Sequence, residues 1–106
     1  RRWREEEQQL SLRYERAWSF ARNAADMLKK EFHAQRVRVF GSLLHKELFH
    51  SNSDIDLAVW GINENEYFRA VSRVLDLDSE ISADMVMADD AKPSLYQRIE
   101  TEGIEI

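Results

Sequence analysis

The chain contains no cysteine, a single proline and only three glycines among its 106 residues. Without cysteine there can be no disulfide, no thiolate zinc site and no cysteine nucleophile. That composition suits a reducing compartment, and a cytoplasmic location is expected. No apolar run approaches the length of a bilayer span and no signal-peptide pattern is visible, so no membrane association is expected. Positive charge is also scarce. Fifteen Lys and Arg face twenty Asp and Glu, for a formal net charge of −5. Broad electrostatic binding to nucleic acid needs the opposite balance. No strong nucleic-acid binding is expected, although a local basic groove stays open.

With 43% hydrophobic and 33% charged residues, the chain can bury a small core and does not have a disordered composition. It shows no repeat, no low-complexity tract and no linker. We expect one domain over residues 1–106, with residues 1–34 as an N-terminal helix and 35–106 as the core.

Leu10, Tyr14, Trp18, Ala21, Ala25, Leu28 and Phe32 recur at steps of three and four. This spacing predicts an amphipathic helix from about residue 4 to 33. The helix is long for so small a domain, so part of it is expected to project or to dock on a partner. Arg36 to Phe40 alternates and predicts a strand ending at Gly41. A short helix is expected from near Ser42, a second strand over 54–60 and a third over 81–88. Between these strands, Asn63 and Glu66 resemble a capping box, and Phe68, Val71 and Leu75 continue at helical spacing. Pro93 suits the first turn of a last helix and Gly103 its end; Ile104 and Ile106 suggest an edge strand. The expected fold is a small mixed α/β (α+β) domain with helices flanking the sheet.

The second strand raises a chemical question, because Asp54 and Asp56 sit inside an otherwise apolar run. Aspartate is depleted in strands, and burying an unpaired carboxylate is costly. Side chains alternate along a strand, so the two carboxylates share a face while Ile55, Leu57 and Val59 take the other. A divalent cation would turn their repulsion into binding, and hard oxygen ligands suit Mg²⁺. The plainer alternative is a strand-end aspartate in a turn after Ser53.

Gly41 and Ser42 add a second signal. Glycine at a strand end lets the backbone approach a ligand, and a serine opening a helix offers a hydroxyl beside free N–H groups. Taken alone, the pair would equally fit a strand-to-helix turn with Ser42 as N-cap. Beside the aspartates it points to a nucleoside triphosphate with Mg²⁺. Asp84, embedded in the third apolar run, would sit near Asp56 if its strand paired antiparallel to the second. There it could ligate metal or accept a proton; the alternative is a strand-edge acid. Asp89 and Asp90 read as loop acids. His33, His45 and His50 lack metal-ligand spacing, and Trp3, Trp18, Trp60 and Phe49 read as core or interface.

The segments Val39-Phe40-Gly41-Ser42 and Ser53-Asp54-Ile55-Asp56-Leu57-Ala58-Val59 resemble the nucleotidyltransferase family that shares the DNA polymerase β palm. The short length is similar to that of its minimal members, the MNT proteins, many of which are antitoxins paired with HEPN-type ribonuclease toxins. The resemblance covers roughly residues 36 to 106. It implies that Gly41 and Ser42 hold the triphosphate, that Asp54 and Asp56 bind two Mg²⁺ ions, and that Asp84 is the third carboxylate. It also implies ATP as donor, a HEPN toxin as partner and a tyrosine hydroxyl of that toxin as acceptor. Some members carry a glycine near the position of Lys46; here Lys46 stands instead and is placed to reach a phosphate or to lie in solvent. Two competing expectations remain. One is an antitoxin that acts by stoichiometric binding through the long helix. The other is a drug-modifying nucleotidyltransferase, whose relatives usually need a second domain.

Overall fold

The computed structural model describes residues 2–50 and 53–106, with side chains from Arg4 onward. Helix α1 (Arg2–Glu31) is followed by β1 (Arg36–Phe40) and by two short 3-10 turns, Gly41–Leu44 and Lys46–Leu48. Next come β2 (Ile55–Trp60), a 3-10 turn at Glu64–Glu66, α2 (Tyr67–Asp76) and β3 (Ala83–Met87). A last 3-10 turn, Ala88–Asp90, leads to α3 (Pro93–Glu102) and β4 (Ile104–Glu105). The four strands form one mixed sheet in the order β3-β2-β1-β4.

Strand β1 runs antiparallel to both β2 and β4, whereas β2 and β3 are parallel. The parallel pairing corrects the antiparallel partner expected for the third strand. Helix α2 carries the chain back along the sheet before β3 begins, which is the crossover that parallel neighbours need.

Alternation divides the sheet between two cores. Val37, Val39, Ile55, Leu57, Val59 and Met85 pack beneath α1 and α2 with Phe20, Leu28 and Val74. On the other face Phe40, Ala58 and Trp60 pack against Ile99 of α3. Helix α3 covers only part of that face, and Asp56 lies on it beyond the apolar patch.

The expected face of α1 forms, with Ala21, Ala25, Leu28 and Phe32 buried. The helix stops at Glu31, two residues before the expected end. There His33 adopts φ 60°, a left-handed value, and the N–H groups of Phe32 and Ala34 both donate to the Leu28 carbonyl. Residues 4–9 are exposed, so the N-terminal stretch of α1 projects past the core. In α2 the buried face differs from the expected one. Ala70 and Val74 are buried, while Phe68 is 82% exposed and Leu75 41% exposed. The Asn63 side chain accepts from the N–H of Asn65 in the preceding turn, and α2 itself starts only at Tyr67. Among the described residues, no helix is long and apolar enough to cross a membrane.

Helix α3 begins with Pro93, whose missing N–H costs nothing in a first turn. Its far end is tied to the sheet by arginines. Arg38 donates to the Ile99 and Gly103 carbonyls, and Arg36 and Arg38 both pair with Glu105. The Arg36 guanidinium also lies 4.1 Å from the centroid of the Trp60 ring. These contacts set the position of α3, and therefore of its remaining side chains, relative to the strand that carries Asp56.

Candidate active site

The structure brings the three predicted carboxylates to one region. Asp56 stands in β2, Asp54 immediately precedes that strand, and Asp84 in β3 is the register partner of Asp56. In a parallel pair, matched residues point to the same face. Leu57 and its partner Met85 enter the large core, so Asp56 and Asp84 point away from it. Asp56 is half-buried, while Asp54 and Asp84 are exposed.

The electrostatics follow from this crowding. Burial pushes the Asp56 carboxyl up to about 6, and the negative charges of Asp84 and Asp54 push in the same direction. The positive charge of Arg98 on α3 opposes them. Three acids acting on one point is what a cation would relieve. Among the described residues, no group of three or more His, Cys, Asp or Glu side chains is arranged so that it could by itself hold a metal ion. An open carboxylate site is the form that suits Mg²⁺, which takes one or two carboxylates and fills its remaining positions with water and phosphate oxygens.

Gly41 lies directly against Asp56. It has φ +80°, a left-handed value that favours glycine, and a Cβ built there would overlap the Asp56 Oδ2. The turn can approach the carboxylate only because this residue has no side chain. The residues present therefore fit a small hard cation with a phosphate chain along the Gly41 turn.

The following segment differs from the expected helix. Gly41–Leu44 is a four-residue 3-10 turn whose N-cap position is Phe40, with no side-chain cap hydrogen bond. Ser42 is thus inside the turn rather than capping it, and its carbonyl accepts from the His45 N–H at 3.1 Å. The Tyr14 hydroxyl holds the turn to α1 by donating to the Leu43 carbonyl at 2.7 Å. Lys46 is exposed, and its ammonium lies 5.7 Å from the centroid of the Tyr14 ring.

A cleft of about 250 Å³ opens beside the turn, lined by Phe40, Gly41, Ser42, His45, Arg98 and Glu102 among others. Sequence reasoning set His45 aside and did not single out Arg98. No local spacing marks Arg98; only the packing of α3 brings it to the cleft. A larger cavity of about 560 Å³ lies on the α1 side, lined in part by Arg13, Arg16, Ser53 and Ser82. Arg16 there is already paired with Asp78 and Glu80, so that cavity is a weaker candidate for the chemistry.

The other expectations resolve as structural parts. Phe49 is buried and meets Tyr14 edge-on at 5.4 Å, and Trp60 is core. Trp18 packs against the main core, His33 closes α1, and Asp89 and Asp90 are exposed in a turn. The Trp3 side chain lies outside the described residues.

Comparison with known proteins supports the same frame. The sequence model of the family described as Polymerase beta, Nucleotidyltransferase matches residues 22–106. A search of curated proteins gave no significant match. Among solved structures, a crystal structure of a toxin–antitoxin with AMP-PNP is similar at a TM-score of 0.64 and 24% identity, covering 78% of this chain and 69% of that one. The toxin–antitoxin MntA-HepT gives a TM-score of 0.62 at 20% identity, covering 83% of this chain and 69% of the other. A complex of a tri-AMPylated Shewanella oneidensis HEPN toxin with MNT antitoxin gives 0.50 at 19% identity, covering 91% and 70%. At such identities these likenesses speak for the fold. The family match takes in both carboxylate strands and the Gly41 turn, and the chain belongs to the polymerase β-type nucleotidyltransferase family.

Proposed function

We propose that the chain is a Mg²⁺-dependent nucleotidyltransferase that moves AMP from ATP to a tyrosine hydroxyl of a HEPN toxin, and so serves as that toxin's antitoxin. The observation that carries this reading is the register of Asp56 and Asp84 beside Asp54, with Gly41 cleared for close approach. Family membership supports the reaction class. The similar folds include a toxin–antitoxin with AMP-PNP and a HEPN toxin bearing AMP beside its MNT antitoxin, which supports the donor and the partner.

In this reading Asp54 and Asp56 hold two Mg²⁺ ions, with Asp84 as third carboxylate. Held by these carboxylates, Mg²⁺ would supply charge neutralisation for the triphosphate and favour in-line displacement. The Ser42 hydroxyl donates to a phosphate oxygen, and the bare Gly41 leaves room for it. Asp84, on the exposed side of the trio, accepts the proton of the attacking hydroxyl. The bond from acceptor oxygen to the α-phosphorus forms as the α–β bridging bond breaks, and pyrophosphate leaves.

A second reading, neutralisation by binding alone, is favoured by one observation. Residues 4–9 of α1 are exposed, and Leu12 is 65% exposed. The two readings part in one experiment: the chain, its HEPN partner, ATP and Mg²⁺ are mixed and followed by intact mass spectrometry. Addition of AMP to the partner is expected. A complex that forms with no gain in mass would leave binding alone as the mechanism.

A further inference from the structure

The triphosphate carries several negative charges, and the structure leaves the Gly41 turn poorly equipped to meet them. A four-residue 3-10 turn has no helix dipole of consequence to offer an anion. Lys46, the one lysine in the loop, is turned to the Tyr14 ring on α1. Beyond the charge that Mg²⁺ at the carboxylates would neutralise, a cation for the phosphates along the turn has to come from another element.

Helix α3 supplies it. Ile99 is buried against the sheet, and its neighbour Arg98 flanks that contact on the side of the Gly41 turn. Arg98 lines the same cleft as Gly41, Ser42 and His45. Its partner there is Glu102, one turn along the helix, at 3.4 Å. Both side chains are mostly exposed, 64% and 58%. Such an i,i+4 pair is weak and easily exchanged. Arginine presents several N–H donors in a planar fork that matches phosphate oxygens, and a bidentate phosphate is a better partner than a solvated glutamate.

We propose that Arg98 is a triphosphate-binding residue of this site, leaving Glu102 to engage the β- and γ-phosphates of the nucleotide when it enters beside Ser42. This inference rests on the nucleotidyltransferase reading and assigns the part of the substrate that α3 reads. Glu102 acts as a positioning residue that holds the guanidinium at the cleft when the nucleotide is absent. Charge from α3 would also act on the pyrophosphate leaving group, so the same residue serves binding and departure.

Calorimetry with Mg-ATP and with Mg-AMP tests the inference on the wild-type chain and on Arg98→Ala and Arg98→Lys. Arg98→Ala should weaken Mg-ATP by about 10- to 100-fold, the scale of losing hydrogen bonds to a charged group. Arg98→Lys should recover part of that loss. Mg-AMP, which lacks the β- and γ-phosphates, should bind both variants as it binds the wild type. Thermal melting of each variant checks the fold, since Arg98 makes no core contact; if the alanine variant does not fold, the lysine variant carries the comparison. Unchanged Mg-ATP affinity in the variants would overturn the proposal, as would an equal loss for ATP and AMP. A wild-type chain that binds no Mg-ATP would instead overturn the nucleotidyltransferase reading beneath it.

Discussion

Gly41 and Asp56 occupy space that only one side chain can fill: a Cβ on Gly41 would overlap the Asp56 carboxylate. The glycine turn and the acidic strand are therefore one unit. Gly41→Ala should cost about 1–3 kcal/mol of stability, because φ +80° is unfavourable for any other residue and the new methyl meets an oxygen. Urea unfolding measures the first effect. Calorimetry should show Mg-ATP affinity falling as well, since the carboxylate must move aside. A variant with wild-type stability and affinity would mean that the turn relaxes freely and positions nothing.

Asp56 gives a pH-dependent prediction. Its folded pKa, raised to about 6, lies above the ordinary value of 3.8, so ionising it costs more in the fold than in the unfolded chain. The cost is absent below about pH 4, grows between about pH 4 and 6, and is complete above that. Asp56→Asn removes it. In metal-free buffer the variant should be more stable than wild type at pH 7.5 by about 1 kcal/mol, a figure discounted because the group is only half-buried. The advantage should vanish near pH 4. Thermal melts across this range measure it. The same variant should lose Mg²⁺-dependent ATP binding, and wild-type Mg²⁺ affinity should itself fall as the pH drops through 6, because the ligand must be deprotonated.

Asp84 separates an enzyme from a binder. It is exposed and sits at the sheet edge, so Asp84→Asn should fold normally. Ser42, Asp54 and Asp56 remain, and much of the nucleotide binding should remain with them. Nucleotidyl transfer should fall by about 10²-fold or more, the scale of losing a positioned base. Co-expression of each variant with the toxin, scored for growth and for adduct, reads the consequence. Full protection by Asp84→Asn with no adduct would refute catalysis as the means of neutralisation.

The parts with local signals were legible along the chain. The three- and four-residue steps from Leu10 to Phe32 encode α1, because a helix repeats its face at that interval. Two-residue alternation put Asp56 on the face of β2 opposite Ile55 and Leu57, with Asp54 just before the strand, and the Gly41 position marked a strand end needing a bare backbone. Tertiary structure decided everything that depends on which elements meet. The crossover through α2 made β3 parallel, and only that register sets Asp84 opposite Asp56. Packing on the sheet turned α2 so that Ala70 and Val74 are buried and Phe68 is not, although Phe68, Val71 and Leu75 also recur at helical spacing. Ser42 fell inside a 3-10 turn instead of capping a helix, and Lys46 turned to Tyr14. Arg98, more than forty positions after Asp56, reaches the same region only because Ile99 anchors α3 on the face that Asp56 shares. Periodicity tells a chain which side of each element to bury; it carries no information on which distant side chains the burial will bring together.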